Sequence, residues 1–247
     1  MSTAREAALS VLQKWRSNSA WSEPALNAAI QRAGLDRRDA ALCTRICYGT
    51  LQNLALLDAY VDAYSKTPAK KLEPKVLDIL RISVYQLRFL QQIPAHAAVN
   101  EAVALCKKCG CSRASGLVNA VLRRVSENGD QLPSLPKEAA DRLSIQYSHP
   151  KWLVELLLQE HDTEFVEAFL KANNDIPAVC LQTNTLKTTT AALLECLLEM
   201  GFSCEMHPHL PDALLCQGVT SLVRKLFKTG RFIFRTLPPG WQFCLRI

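Results

Sequence analysis

The sequence predicts a mainly α-helical fold, followed from about residue 176 by a small, incomplete α+β subdomain. Up to Asn128, apolar residues recur at helical spacing in successive segments joined by short connections, which is typical of a helical bundle. After Pro177 the pattern changes, because AVCLQTNTL and FSCEMH alternate as strands do and the amphipathic TTTAALLECLLEM lies between them. At 247 residues, 49% of them hydrophobic, the chain is long enough to bury a core.

The first helices follow from apolar spacing and from local start and stop signals. AREAALSVLQKW carries apolar residues at i, i+3 and i+4, and SEP followed by an apolar run to Ile30 predicts a second helix that Gly34 ends. After Asp36, RRDAALCTRICYGTLQNLALLDAYVDAY predicts two helices with Gly49 near their junction. The segment from Val76 to Leu90 has apolar residues on one face and predicts a further helix.

A helical hairpin is predicted from Gln92 to Val125. Pro94 opens the first helix, a turn with cysteines and a glycine follows, and the second helix ends in paired arginines. Each helix has an apolar face, and two helices of this length cannot bury both faces alone. The neighbouring segments are therefore expected to supply the other walls of a bundle.

The remaining segments set the predicted domain boundaries. GDQLPSLP has the glycine and proline content of a linker, and helices are predicted at Lys137–Gln146, Lys151–His161 and Thr163–Ala172. The helical domain is placed at residues 1–128, the linker and connecting helices at 129–175, and the small subdomain at 176–230. Residues 231–247 form a tail without a clear period.

Several functional classes are excluded by motifs that the sequence lacks. No run approaches 18 apolar residues and the N-terminus has no apolar signal-peptide core, so we expect no membrane span and a cytoplasmic location. The nine glycines form neither a G-x-G nor a G-x-x-x-x-G-K loop, and there is no G-x-S-x-G or H-E-x-x-H motif. We therefore predict no catalytic residue and no bound cofactor or metal.

The ten cysteines lie mostly at apolar helical positions, which predicts reduced, buried thiols. Cys106, Cys109 and Cys111 are the exception, because C-x-x-C-x-C offers three soft metal ligands within one turn. A closed zinc site needs a fourth ligand, and no second cysteine or histidine pair follows at finger spacing. Cysteines that happen to surround a helix end are the favoured interpretation.

The net charge of +6 is unevenly distributed along the chain. Residues 1–128 hold 18 Lys and Arg against 10 Asp and Glu, whereas residues 129–205 hold 5 against 12. A basic helical domain favours a polyanionic partner, because phosphate contacts supply most sequence-independent affinity for nucleic acids. A solvated basic face without a partner is the alternative.

The order of the segments resembles a known family. IPAHAAVNEAVALCKK followed by SGLVNAVLRRV resembles the signature hairpin of the NusB-like RNA-binding domain, and RRDAALCTRICYGTLQ resembles its third helix. YSHPKWLVELLLQEH, IPAVCLQTNTLKTTTAALLECLLEMGF and LPDAL resemble the linker helices and small subdomain of the RsmB (Sun/Fmu) type of 16S ribosomal RNA cytosine-C5 methyltransferase. The resemblance runs from about residue 3 to Gly230. It favours RsmB over free-standing NusB, which has nothing like residues 147–215.

The resemblance implies a catalytic domain that this chain lacks. In complete enzymes of this type, an S-adenosylmethionine domain follows, and a cysteine thiolate adds to the pyrimidine ring so that the neighbouring carbon can accept the methyl group. No cysteine of this chain, Cys244 included, has that context. We therefore expect a chain truncated before the catalytic domain, with S-adenosylmethionine belonging to the full-length family only and no methyl transfer by the chain alone.

The tail suggests a frameshift near Arg231 to Ile233. Read in a shifted codon frame, IFRTLPPGWQFCLR can be recoded as YFQDAASRLAVLSA, which restores the Q-D-x-A-S segment that the family would have at this place. Residues from about Phe232 onward are then out of frame. Resequencing the gene tests this prediction, which fails if the shifted frame does not encode a methyltransferase.

Three functional hypotheses remain open at the level of the sequence. They are the RNA-binding part of an RsmB-type methyltransferase, a free-standing NusB-type transcription antitermination factor that binds RNA and a ribosomal protein, and a helical interaction domain without a nucleic-acid role. For the first, we expect small-subunit ribosomal RNA as the partner, no DNA or membrane partner, and a monomer. The candidates for phosphate contacts are the basic residues of exposed helix faces and loops: Arg5, Arg37, Arg38, Lys70, Lys71, Lys107, Lys108, Arg113, Arg123 and Arg124.

Overall fold

The computed structural model describes residues 3–18, 22–128, 131–175, 179–217 and 232–235, and these form eleven α-helices and four β-strands. The chain divides into two compact units, Met1–Val166 and Glu167–Ile247. The predicted mainly α-helical fold with a small α+β part is therefore confirmed. None of the described helices is long and apolar enough to cross a membrane.

Nine α-helices lie wholly within the described residues of the first unit. Their bounds are α1 Ala4–Asn18, α2 Ser22–Ala33, α3 Arg37–Gln52, α4 Leu54–Tyr64, α5 Pro74–Phe89, α6 Ala95–Lys108, α7 Ser115–Glu127, α8 Ala139–Gln146 and α9 Lys151–Glu160. Helix α10, Thr163–Asn174, begins in the first unit and ends in the second. The predicted hairpin corresponds to α6 and α7, which a short 3-10 turn at Ser112–Ala114 connects.

Helix α5 is the centre of the bundle. It packs against α1, α3, α4, α6 and α7, and Ile79, Leu80 and Ile82 on it are fully buried. Apolar residues lie almost all round this helix between Val76 and Tyr85, which is typical of a helix with neighbours on every side. The apolar faces of the predicted hairpin, helices α6 and α7, are thus buried mainly against α5.

The junction between α3 and α4 lies at Asn53, four residues after Gly49, which the sequence places near it. Gly49 lies inside α3, where the Tyr85 ring of α5 passes directly over it. A Cβ atom at this position would overlap the ring, so the position requires glycine. The helix ends three residues later, where the Asn53 side chain donates a hydrogen bond of 2.8 Å to the carbonyl oxygen of Gly49. The glycine permits a close helix–helix approach and does not break the helix.

The segment after α7 also packs on the bundle. The carbonyl oxygen of Gln131 accepts hydrogen bonds from the Tyr60 hydroxyl at 3.3 Å and from Arg88 Nη2 at 3.2 Å. Ser148, between α8 and α9, adopts a left-handed conformation with φ of 53°, and its hydroxyl accepts a hydrogen bond from the backbone N–H of Leu56 at 3.1 Å. Ser148 thereby caps the first turn of α4, which the Asn53 side chain leaves uncapped.

A network of charged side chains joins three helices of the first unit. Arg81 of α5 binds Asp58 of α4 through two hydrogen bonds of 2.7 Å, from Nε and from Nη2. Asp78 is 2% exposed and lies between Arg81, at 3.4 Å, and Arg16 of α1, which forms a close ion pair with it. The network therefore ties α1 and α4 to the central helix.

The second unit contains an antiparallel sheet with the strand order β2-β3-β1-β4. The elements are β1 Val179–Thr183, α11 Thr190–Glu199, β2 Ser203–Met206, β3 Ala213–Gln217 and β4 Phe232–Arg235. Leu193 and Leu197 of α11 pack on Leu181 and Leu214 of the sheet. The predicted succession of strand, helix and strand is confirmed by β1, α11 and β2, whereas β3 and β4 were not predicted.

The expectation of reduced thiols is wrong for one pair of cysteines. Cys204 on β2 and Cys216 on β3 face each other directly in the strand register and form a disulfide, with their Cα atoms 4.2 Å apart. Their pairing depends on the antiparallel register, which residue spacing along the chain does not reveal. Six other described cysteines are free thiols: Cys43, Cys47, Cys106, Cys109, Cys111 and Cys196.

The tail lies largely outside the described residues. Only the backbone of β4 is described there, and it pairs with β1 so that Phe234 lies opposite Leu181. Residues 236–247, which include Cys244, are not among the described ranges. The frameshift stays a prediction for resequencing.

Candidate nucleic-acid interface

Helix α3 presents a basic face on the side opposite the core. Asp36 caps this helix by accepting a hydrogen bond from the backbone N–H of Asp39 at 2.7 Å. Cys43, Ile46, Cys47 and Thr50 then point into the bundle. The exposed side chains Arg38 and Arg45 are seven residues apart, which places them on one face two turns apart.

These arginines line a cleft that we call the arginine cleft. It has a volume of about 450 Å³ and is bounded by the first turn of α1, the outer face of α3 and the connection between α5 and α6. Arg5, Arg38 and Arg45 contribute three guanidinium groups, against the single carboxylate of Asp39. The other lining residues are Ala41, Leu42, Phe89, Leu90, Gln91, Gln92 and Ile93.

Arg5 is held in place by structural contacts. Its Nε donates a hydrogen bond of 2.7 Å to Oε1 of Gln86, and its Nη1 lies 3.8 Å from the Glu101 carboxylate. Gln86 is itself buried and fixed, because its amide nitrogen donates to the carbonyl oxygen of Ile82 at 3.0 Å. Arg5 thus joins α1 to α5 and α6 while its guanidinium also lines the cleft.

Arg38 and Arg45, by contrast, have no hydrogen-bond or ion-pair partner for their side chains among the described residues. An unpaired guanidinium is a fork of five donors that matches phosphate geometry. The cleft therefore combines one pre-positioned arginine with two that are available to a ligand.

Two other predicted candidates also make structural contacts. Lys108, at the end of α6, forms an ion pair with Glu6 of α1. Arg124 of α7 donates a hydrogen bond of 3.5 Å to the carbonyl oxygen of Tyr64, at the end of α4. Both side chains remain exposed. Substituting either one would also remove a contact between helices, so a change in binding would partly reflect a change in the fold.

The remaining candidates are all exposed. Arg123 lines a second, smaller cleft of about 260 Å³ with His96, Asn100 and Glu127, between α6 and α7. Within the described part of the chain, the side chains of five candidates have neither a hydrogen bond nor an ion pair; they are Lys70, Lys71, Lys107, Arg113 and Arg123. Arg37 is exposed and makes further contacts. The structure thus brings together only Arg5 and Arg38 of the predicted set in the arginine cleft.

Sequence reasoning missed Arg45 and Phe89 in this cleft. Arg45 could have been found from its spacing, because a residue seven positions from Arg38 on an amphipathic helix shares its exposed face. Phe89 gave no such signal, since an aromatic residue at the end of an apolar helix is usually part of the core. In the structure Phe89 is 38% exposed.

The cysteine turn after α6 shows no arrangement for metal binding among the described residues. Cys106 Sγ donates to the carbonyl oxygen of Cys111 at 2.9 Å, and Cys111 Sγ lies 3.6 Å from the Glu73 carboxylate. Burial, together with the Glu73 carboxylate, raises the pKa of the Cys111 thiol. A protonated thiol is a poor nucleophile and a poor metal ligand.

Comparison with known proteins places this architecture in a family. The NusB family matches residues 2–127, and the ferredoxin-like domain of RsmF/B-like methyltransferases matches residues 149–221. The chain belongs to the NusB family. The second match adds the small domain of the RsmF/B-like proteins, so the resemblance predicted from the sequence is confirmed.

Individual relatives agree with this assignment. The chain is 30% identical to the probable ribosomal RNA small subunit methyltransferase B of Synechocystis sp., over 98% of this chain and 54% of that protein. It is 32% identical to the probable enzyme of the same name from Bacillus subtilis, over 92% of this chain and 51% of that protein. The chain therefore spans about half the length of the curated relatives it matches.

A solved structure shares the fold. The crystal structure of PH0851 superposes with a TM-score of 0.63 and 18% sequence identity, over 94% of this chain and 52% of that one. The similarity extends across nearly all of the chain, so the succession of a NusB-type bundle and a small ferredoxin-like domain recurs in a known protein.

Proposed function

We propose that this chain is the RNA-binding part of a 16S ribosomal RNA cytosine-C5 methyltransferase of the RsmB type. The observation that carries the proposal is the NusB-type bundle, whose basic side chains remain exposed, joined in one chain to an RsmF/B-type ferredoxin-like domain. The bundle would hold small-subunit ribosomal RNA through phosphate contacts, in the cytoplasm, where the relatives' named substrate occurs.

The ferredoxin-like domain separates this proposal from a free-standing NusB-type antitermination factor. Residues 149–221 have their own match among the methyltransferases, and relatives carrying that name align with more than nine-tenths of the chain. For complete enzymes of this type the family resemblance implies S-adenosylmethionine as the methyl donor. We assign the NusB-type bundle to RNA recognition, because its exposed basic side chains suit phosphate contacts.

Binding to an unmodified transcript of small-subunit ribosomal RNA is expected to weaken steeply as salt is added. Each phosphate contact contributes about 0.7–0.9 to the slope of log K against log salt concentration. Lys107→Glu should lower the affinity and reduce this slope by about 1, because Lys107 is exposed and without a partner within the described part of the chain. Titration of labelled RNA at several salt concentrations measures both quantities.

Lys171→Glu is the matched control for this experiment. Lys171 is an exposed lysine in the last turn of α10, in the acidic part of the chain, so the same charge change there should leave the slope unaltered. Lys108→Glu is less informative, since it also breaks the ion pair with Glu6. Binding that does not depend on salt, or no binding below millimolar RNA, would contradict the proposed function.

A further inference from the structure

The arginine cleft contains an aromatic platform next to its cationic groups. Phe89 is the last residue of α5, and its ring stacks on the Tyr85 ring one turn earlier, with centroids 5.1 Å apart and planes inclined by 19°. Tyr85 is buried and lies over Gly49. Phe89 is thus supported by a fixed ring while 38% of the residue stays exposed.

The geometry of the cleft sets the class of ligand. A volume of about 450 Å³ lies within the range of roughly 300–1,000 Å³ that is usual for small-molecule sites. Exposed guanidinium groups favour a phosphate, and an exposed ring on a stacked pair favours a flat aromatic group. A nucleotide carries both groups in one unit.

We propose that the arginine cleft binds one unpaired nucleotide of an RNA strand, with the base stacked on Phe89 and the adjoining phosphate on Arg38 and Arg45. This inference rests on the proposed function and assigns it a subsite. Arg5, fixed by Gln86 and Glu101, adds positive potential at the cleft without having to be ordered on binding.

An unpaired nucleotide fits better than one within a duplex. In a duplex both faces of each base are stacked on neighbouring bases, so a protein ring can reach a base only where the strand is open. Gln91 and Gln92 line the same cleft and are exposed, and their amides can donate to and accept from the edge of a splayed base. The site therefore reads an accessible base together with its phosphate.

Replacement of Phe89 tests the stacking directly. The probe is a fluorescent twelve-nucleotide RNA of mixed, unstructured sequence, compared with the same strand annealed to its complement. Phe89→Ala is expected to weaken single-strand binding about tenfold, as loss of one base–aromatic stack usually does, whereas Phe89→Trp should retain it. Phe89→Leu should behave like the alanine variant, because it keeps apolar bulk but lacks the ring.

Trp152→Ala is the matched control. Trp152 is 65% exposed on α9 in the same unit and does not line the cleft, so its loss should leave binding unchanged. Arg38→Glu combined with Arg45→Glu should lower both the affinity and its salt dependence. Thermal unfolding of each variant verifies that the fold is intact.

The outcomes distinguish this inference from the proposed function. If Phe89→Ala binds the single strand as tightly as the natural chain while Lys107→Glu still weakens binding to ribosomal RNA, the bundle binds RNA and the nucleotide site is refuted. Equal or tighter binding of the duplex also refutes it. If neither the single strand nor the ribosomal RNA transcript binds at any salt concentration, the proposed function itself fails.

Discussion

Replacing Gly49 with alanine is expected to lower the free energy of unfolding by about 1–3 kcal/mol, the usual cost of adding a methyl group to a packed interior. The added Cβ would overlap the Tyr85 ring, and Tyr85 is too deeply buried to move aside freely. This loss of stability is expected even though alanine has the higher intrinsic helix propensity, by about 1 kcal/mol. Urea or thermal unfolding measures the loss.

Gly116→Ala is the matched control for this prediction. Gly116 lies in α7, and a Cβ there would meet no atom within 4 Å, so the substitution should raise stability by about 0.5–1 kcal/mol. A double variant that also carries Tyr85→Leu should recover part of the loss at Gly49, because the overlapping ring atoms are removed. Equal effects of alanine at the two glycines would show that the Gly49–Tyr85 approach does not constrain the fold.

The Gly49 substitution also reaches the arginine cleft. Tyr85 supports the Phe89 ring from one side, so any displacement of Tyr85 moves the platform on which the base is proposed to stack. Gly49→Ala should therefore weaken single-stranded RNA binding even under conditions where the variant remains folded. The losses of RNA affinity caused by Gly49→Ala and by Phe89→Ala should not add in a double variant, because both act through the Phe89 ring.

The sequence predicted the helices well because their information is local. Apolar spacing within each segment is sufficient to locate a helix, and Gly34, which follows α2 with φ of +60°, marks a helix end by its own backbone preference. Strand β3 was missed for a local reason too, since ALLCQ is a short apolar run that alternation cannot distinguish from a buried helical turn.

The features that the sequence did not reveal depend on contacts between distant segments. Gly49 has a role only because Tyr85, 36 positions later in the chain, packs on it. Ser148 caps a helix 92 positions earlier in the chain, and Cys204 pairs with Cys216 through a strand register. The same holds for the candidate site: exposed arginines were predictable one by one, but their convergence with Phe89 follows from how α1, α3 and α5 pack.

Replacing Arg81 with alanine is expected to destabilise the bundle by about 3 kcal/mol, as removal of one partner from a buried ion pair commonly does. Arg81 lies between two carboxylates, Asp58 and Asp78, and its side chain is only 15% exposed. Without it, Asp58 loses two hydrogen bonds of 2.7 Å and Asp78 keeps Arg16 as its remaining cationic partner in the network. Chemical denaturation at neutral pH measures the difference.

The pH dependence of that loss has a definite sign. Burial raises the pKa of the Asp78 carboxyl, and the Arg16 and Arg81 guanidinium groups oppose this shift. Removing Arg81 should raise the pKa of Asp78 further. A carboxyl whose folded pKa exceeds its unfolded value of about 3.9 makes stability fall as the pH rises between the two values. The stability difference between the natural chain and Arg81→Ala should therefore be smaller near pH 4 than at pH 7.

An exposed ion pair provides the control. Lys151 lies 2.6 Å from Asp141, a distance similar to those between Arg81 and Asp58, but its side chain is 44% exposed. Lys151→Ala should change stability little, because water solvates both groups of such a pair once it is broken. If Arg81→Ala proved as mild as Lys151→Ala, or if its cost grew on acidification, the network would not be what holds α1 and α4 against α5. The packing of Ile79, Leu80 and Ile82 would then carry that part of the bundle alone.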